Sequence, residues 1–185
     1  KLEEFWGFRF DHGLLAADLD NSLTVDATSN YKSNPTYTQD VIQYILKPGN
    51  LNPERPETSK LKGVSFSSAS GIEPAAADTV FVPIFKTSRN AAYISADAVY
   101  DNINPGIILS SFQSDNAEKI IGAAISSTRP DKPFRLIVIG DTDLLYDTFW
   151  TKTENILDNQ YSIPVLDNGN FVLNALESLT GGENL

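Results

Sequence analysis

From Leu136 to Ile139 the chain is continuously apolar, and the run stops at Gly140, followed by Asp141, Thr142 and Asp143. A strand half exposed to water alternates apolar and polar residues, so four aliphatic residues in succession predict a central strand covered on both faces. In open α/β sheets, ligands sit at the carboxyl end of such strands, which makes Asp141 and Asp143 the first candidate site residues.

A chain of 185 residues, 41% of them hydrophobic, is long enough for one complete core and short for two, so a single folded domain over residues 1–185 is expected. Acids outnumber bases 24 to 14, and the net charge of −10 repels nucleic acid backbones and anionic lipid. Nucleic acid is therefore not an expected partner. No window approaches the roughly eighteen apolar residues of a membrane helix. Cysteine is absent, which removes disulfides, thiolate metal sites and a cysteine nucleophile together. Methionine is absent too, and Leu2, Phe5 and Trp6 have helical spacing with no capping residue ahead of them. The chain is read from this as a segment of something longer.

Along the chain, Leu14–Leu19 and Leu23–Val25 read as strands, either paired or one bent strand. Asn34 and Pro35 predict a helix start, with Tyr37, Val41, Tyr44 and Ile45 on one face. Residues 48–60, with Pro48, Pro53 and Pro56, read as a surface loop. Gly63–Phe66 and Thr79–Phe85 are expected strands, and Pro83 assigns the second to an edge or a bulge. A strand is expected at Ile107–Ser110. Lys119–Ser126 and Phe134–Ile139 flank a short turn-like link, so they predict an antiparallel hairpin and hence a mixed sheet. Leu144–Trp150 reads as a short helix and Tyr161–Asn168 as irregular. In the last element Val172, Ala175, Leu176 and Leu179 share a helix face, with Asn170 as N-cap and Gly181 and Gly182 as C-cap residues.

The chemistry legible here is sparse. Asp141, Asp143 and Asp147 match the paired acids of magnesium-dependent phosphoryl hydrolases, but the chain after them offers no further strand with the extra acids and base such enzymes need. The preferred reading is structural: Asp141 satisfies amides of the turn, and Thr142 or Asp143 caps the next helix. His12 is the sole histidine, which leaves no serine triad and no histidine zinc site. No phosphate-cradling glycine motif is present, so neither nucleotide nor any other cofactor is expected. The polar turn Lys86, Thr87, Ser88, Arg89 is a candidate anion site, with a solvated turn the preferred alternative. Tyr31, Tyr37 and Trp150 are the aromatics a carbohydrate- or peptidoglycan-binding surface would use.

The order of several segments resembles a known family. Tyr44–Pro53, Leu61–Gly71, Pro83–Ser88, the strand at Ile120, Arg135–Asp147 and Asn170–Leu185 together resemble the auxiliary component of uncharacterised ABC-type transport systems, the family that includes gliding-motility auxiliary proteins. Its most specific parts are Val138–Asp143 and Asn170–Leu179; residues 90–117 carry none of its pattern. The resemblance implies an α/β domain with a mixed, mainly parallel sheet flanked by helices, flavodoxin-like or class I glutamine amidotransferase-like, and truncated here at its front. It further implies the extracytoplasmic, C-terminal part of a longer bacterial protein, on the periplasmic face of the cytoplasmic membrane and anchored by segments outside this chain. Permease and ATPase subunits would be its partners, with an extracytoplasmic protein or glycan as ligand. No catalytic residues are implied. The function expected is a non-enzymatic extracytoplasmic module of an ABC-type export or gliding-motility system that binds a partner protein or a transported molecule, with Asp141, Thr142, Asp143, Lys86, Thr87, Ser88 and Arg89 as candidate ligand-binding residues.

Overall fold

The link between Ser127 and Arg135 is too short for a crossover helix, so the strands on either side of it must fold back antiparallel. The computed structural model describes residues 2–28, 34–76, 78–101, 104–157 and 159–181. A short helix, α1 (Leu2–Phe5), leads into β1 (Phe8–Phe10), β2 (Leu14–Asp18), β3 (Ser22–Asp26) and the long β4 (Tyr37–Leu46). Beyond a proline-bearing loop come β5 (Val64–Ser67), β6 (Ile72–Pro74), β7 (Thr79–Lys86) and β8 (Ala91–Ser95). Two short helices, α2 (Ala96–Asp101) and α3 (Pro105–Ser111), separate these from β9 (Ile120–Ser127) and β10 (Arg135–Ile139). Two 3-10 turns, Asp143–Leu145 and Asp147–Phe149, then precede a hairpin of β11 (Thr151–Ile156) and β12 (Asn159–Pro164), and helix α4 (Asn168–Thr180) ends the described chain.

The strands form two three-stranded sheets, ordered β3-β4-β5 and β10-β9-β7, and three pairs, β1-β6, β2-β8 and β11-β12. Every one of these pairings is antiparallel. This overturns the expected mainly parallel, flavodoxin-like or amidotransferase-like α/β sheet. Two of the four α-helices among the described residues directly follow β8 and the chain leading from it, and neither links parallel neighbours. The β9–β10 hairpin itself is as expected, with Arg135 opposite Ser126 and Ile139 opposite Gly122. What changes is its place: β10 lies at the edge of its sheet, and Leu136, Ile137, Val138 and Ile139 are each half-buried rather than enclosed.

Two further expectations are exchanged. The segment expected as a helix from Tyr37 is strand β4, paired on both sides, with Ile42, Tyr44 and Leu46 alternating into the core. Tyr37, Val41 and Ile45, spaced by four, share one face of a strand as well as of a helix, and a residue pattern rich in β-branched and aromatic side chains settles for the strand once both edges find partners. Conversely, the strand expected at Ile107–Ser110 is helix α3. There Asn104 accepts the Gly106 amide at 2.9 Å and Pro105 occupies the first turn. The asparagine–proline start signal is real, but it operates at 104–105 and not at 34–35. Tyr161–Asn168, expected as irregular, contributes most of β12. The strands read at Leu14–Leu19 and Leu23–Val25 exist, but they pair with β8 and β4 and not with each other. Pro83 sits on an edge strand where the register with β9 is irregular, satisfying both expectations for it.

The main core is built on aromatic rings in sequence. Tyr44 stacks on Phe66 at 6.1 Å, Phe66 meets Phe85 edge-on at 5.1 Å, and Phe85 meets Phe171 of α4 at 4.8 Å. Edge-to-face contacts of this kind add to the area each ring buries. A smaller cluster of Ala17, Val41, Ile42 and Ile108 seats α3 against β4. Helix α4 ends as expected at Gly181, whose φ of 93° is the left-handed conformation glycine adopts freely. Gly182 lies outside the described residues. The buried face of α4 is Asn168, Phe171, Ala175 and Ser178, while Leu176 is exposed. Asn170 lies inside the helix, and Asp167 stands at the N-cap. No helix is long and apolar enough to cross a membrane among the described residues.

Candidate functional site

The free side of β5 is closed by side chains instead of by a strand. The outward amide of Ser65 donates to Asn168 Oδ1 at 3.0 Å, and Asn168 Nδ2 returns a bond to the Ser65 carbonyl at 3.0 Å. Two residues along, Ser67 donates its amide to Asp141 Oδ2 at 2.7 Å, while Gly63 reaches Asp167 Oδ2 at 3.3 Å. Backbone groups left open on a strand edge are costly when water is excluded, and these three side chains take the place of a neighbouring backbone.

Asp141 therefore has a structural position. Its second oxygen accepts the Asp143 amide at 2.8 Å, which closes the turn after β10 as the structural reading required. Burial pushes its carboxyl up to about 6, against the pull of the amide bonds from Ser67 and Asp143. Thr142 stands at the N-cap of the following 3-10 turn, but its side chain makes no capping bond there. Gly140 is required by close approach: a Cβ there would lie 2.0 Å from the Ser70 carbonyl oxygen, and Ser70 donates its amide to the Gly140 carbonyl at 2.7 Å.

Above this crossing lies a cleft of about 340 Å³ lined by Ile139 to Asp143, by Ser67, Ser68 and Ser70, and by Phe10 and His12. Asp141, Thr142 and Asp143 are thus brought to one cavity. His12 joins them there, with Nε2 3.0 Å from Glu3 Oε1 and most of its side chain in solvent. The serines were not singled out by sequence; the serine-rich stretch after β5 was the signal, and Ser68, with φ 56°, turns the chain across the end of β10.

Lys86, Thr87, Ser88 and Arg89 do not line this cleft. Their turn already holds a carboxylate: buried Asp18 accepts the Ser88 amide at 2.7 Å and its hydroxyl at 2.6 Å. Thr87 is buried, and its hydroxyl accepts the Lys119 amide at 2.8 Å; Lys86 pairs with Glu118 at 2.6 Å, and Arg89 reaches the Asn116 carbonyl. An internal anion occupies the position that an external one would take.

No three metal-ligating side chains converge among the described residues, so the magnesium arrangement has at most two acids at this cleft. Tyr31 lies outside the described residues. Tyr37 is exposed, but the indole nitrogen of Trp150 is buried, so Trp150 does not present the polar edge of an open aromatic surface. Glu57 and Asn168, both buried polar residues that hold distant parts of the chain, carried no sequence signal.

A family model described as an ABC-type uncharacterized transport system matches residues 2–175. Comparison with curated proteins and with solved structures gives no match. The family match spans nearly the whole chain, including both the β10 turn and most of α4, and the protein belongs to this family of ABC-type transport auxiliary components.

Proposed function

We propose that this chain is a non-enzymatic, extracytoplasmic module of a bacterial ABC-type export or gliding-motility system, which binds a partner protein or a transported molecule beside separate permease and ATPase subunits. The family match over residues 2–175 is the observation that carries this reading. A structural role for the acids supports the non-enzymatic part: Asp141 spends both oxygens on the Ser67 and Asp143 amides. Such bonds fix a carboxylate as a bracket between two chain segments, where a nucleophile or metal ligand needs its lone pairs directed at substrate or ion.

The test is affinity purification of the tagged full-length protein from membranes solubilised in mild detergent. An ATP-binding-cassette ATPase and an integral-membrane permease encoded beside it are expected to co-purify. Protease added to intact spheroplasts is expected to digest this domain. Recovery of neither subunit, or protection from external protease, overturns the reading.

A further inference from the structure

Under the last turn of α4 the β10-β9-β7 sheet is hollow, and the strand register explains the hollow. Val80, Ser126 and Arg135 stand opposite one another across β7, β9 and β10, and Val82, Ala124 and Ile137 form the next row on the same face. In both rows the middle strand carries a small residue between larger neighbours, which leaves a trough along β9. Ser178 and Leu179 of α4, with Arg55 and Glu57 of the proline-bearing loop, complete the walls of a cavity of about 110 Å³. Val80 and Arg135 are exposed, so their row is the mouth, and the row with buried Ala124 lies deeper.

The polar groups around this cavity leave one positive charge uncompensated. Arg55 holds both oxygens of buried Glu57, at 2.7 and 3.0 Å, and the Ser178 hydroxyl donates to the same carboxylate at 2.6 Å. That pair is satisfied within itself. Of the five arginines in the chain, Arg9, Arg55 and Arg129 pair with carboxylates, and Arg89 reaches a carbonyl. Arg135 has a single bond, at 3.5 Å, to the Ser178 hydroxyl that is already committed to Glu57, and no carboxylate among the described residues. The hydroxyl of Ser126, opposite Arg135 in register, likewise has no partner among the described residues. A guanidinium and a hydroxyl side by side are the donors a carboxylate takes, and the trough beyond them is apolar.

We propose that this cavity binds a small aliphatic carboxylate. Arg135 and the Ser126 hydroxyl take the carboxylate at the mouth, and the hydrocarbon end lies against Val82, Ala124, Ile137 and Leu179. At roughly 30 Å³ per water molecule the space equals about four waters, enough for a carboxyl group with two or three further carbons and too little for a peptide strand or a sugar ring. The net charge of −10 disfavours the approach of an anion, but salt screens that field over about 10 Å, so the local cation decides the affinity. None of these residues lines the Asp141 cleft, and the site does not rest on the transport reading.

The probe is isotope-labelled butyrate, mixed with the full-length protein at neutral pH and followed by saturation-transfer NMR at its methyl group. Saturable binding is expected, with butylamine and butyramide giving little or no signal. Arg135→Gln, a change at an exposed position, is expected to weaken binding at least about tenfold with Tm unchanged, and Arg135→Lys to restore part of it. Ala124→Val fills the trough and is expected to shut out butyrate while still admitting formate. Absence of saturable binding up to tens of millimolar butyrate, an equal response to butylamine, or undiminished binding in Arg135→Gln overturns the proposal. An acidic side chain from elsewhere in the full-length protein, already held by Arg135, would give the first of these results and so count against it. Failure of butyrate to bind while permease and ATPase still co-purify rejects this site and leaves the transport assignment standing.

Discussion

Ser67 donates its backbone amide to Asp141 Oδ2 at 2.7 Å across 74 residues of chain, tying the free edge of β5 to the turn after β10. The other oxygen of the same carboxylate holds the Asp143 amide. Asp141→Ala strands both donors in a half-buried place, so a loss of about 2–3 kcal/mol is expected from urea denaturation.

The same residue sets a pH dependence. Its folded pKa of about 6 lies above the ordinary 3.8, so the folded state holds the proton more tightly than the unfolded chain. This contribution is complete below pH ~4 and is lost as pH rises through ~6, on the order of 3 kcal/mol. Asp40, also raised by burial, acts in the same direction and is retained in the variant. Unfolding followed from pH 4 to 6.5 is therefore expected to show a clear decline in the natural protein and a flatter profile in Asp141→Asn; identical slopes would remove Asp141 from the account.

Glu57 is fully buried between Arg55, 2.7 Å from its Oε1, and the Ser178 hydroxyl of α4 at 2.6 Å. Burial pushes its carboxyl up, but the hydrogen bonds from Arg55 and Ser178 outweigh that and hold it below the ordinary range. Its contribution is thus present above the unfolded pKa and is lost as pH falls through the folded one. Removing one partner leaves a buried charge uncompensated, and Arg55→Ala is expected to cost about 2–4 kcal/mol and to move acid unfolding to higher pH. Circular dichroism during acid titration reads both.

Asn168 is expected to be intolerant of its nearest isostere. Its amide nitrogen donates to the carbonyls of Ser65 and Leu144 at 3.0 and 3.1 Å. Asn168→Asp replaces that donor with an oxygen facing two acceptors in a buried place, and a loss of about 3 kcal/mol or more is expected in denaturant unfolding at pH 7, partly recovered at pH 4 where the carboxyl can donate.

Gly140 and Gly49 form a matched pair. A Cβ at Gly140 meets the backbone oxygen of Ser70 at 2.0 Å, which cannot yield without moving the chain, whereas nothing lies within 4 Å of one at Gly49. Gly140→Ala is expected to lower stability by at least about 3 kcal/mol, and Gly49→Ala to stay within about 0.5 kcal/mol. Thermal unfolding of the two variants side by side checks it.

What was legible in advance concerned short-range pattern. The β9–β10 hairpin followed from two apolar runs joined by a link too short to cross over, and α4 followed from apolar spacing of three and four before a glycine. Even there the buried face shifted, because Ser178 and Asn168 find polar partners in Glu57 and Ser65 while Leu173 and Leu176 remain exposed. The candidate site was half legible. Asp141 was picked out by its place after an apolar strand, but its actual partner, the Ser67 amide, belongs to another strand edge that no local pattern marks.

The sequence by itself determined the hairpin, the terminal helix, the absence of cysteine chemistry and the family, since each is written in neighbouring residues or their order. Only the tertiary structure decided that Tyr37–Leu46 is a strand, that β10 lies at an edge, and that Asp141 and Asn168 stand in for a strand beside β5. The reason is that an apolar run reports how much of a segment avoids water, whereas its pairing direction and position depend on which distant backbone reaches its amides first, and that choice is made only when the chain closes on itself.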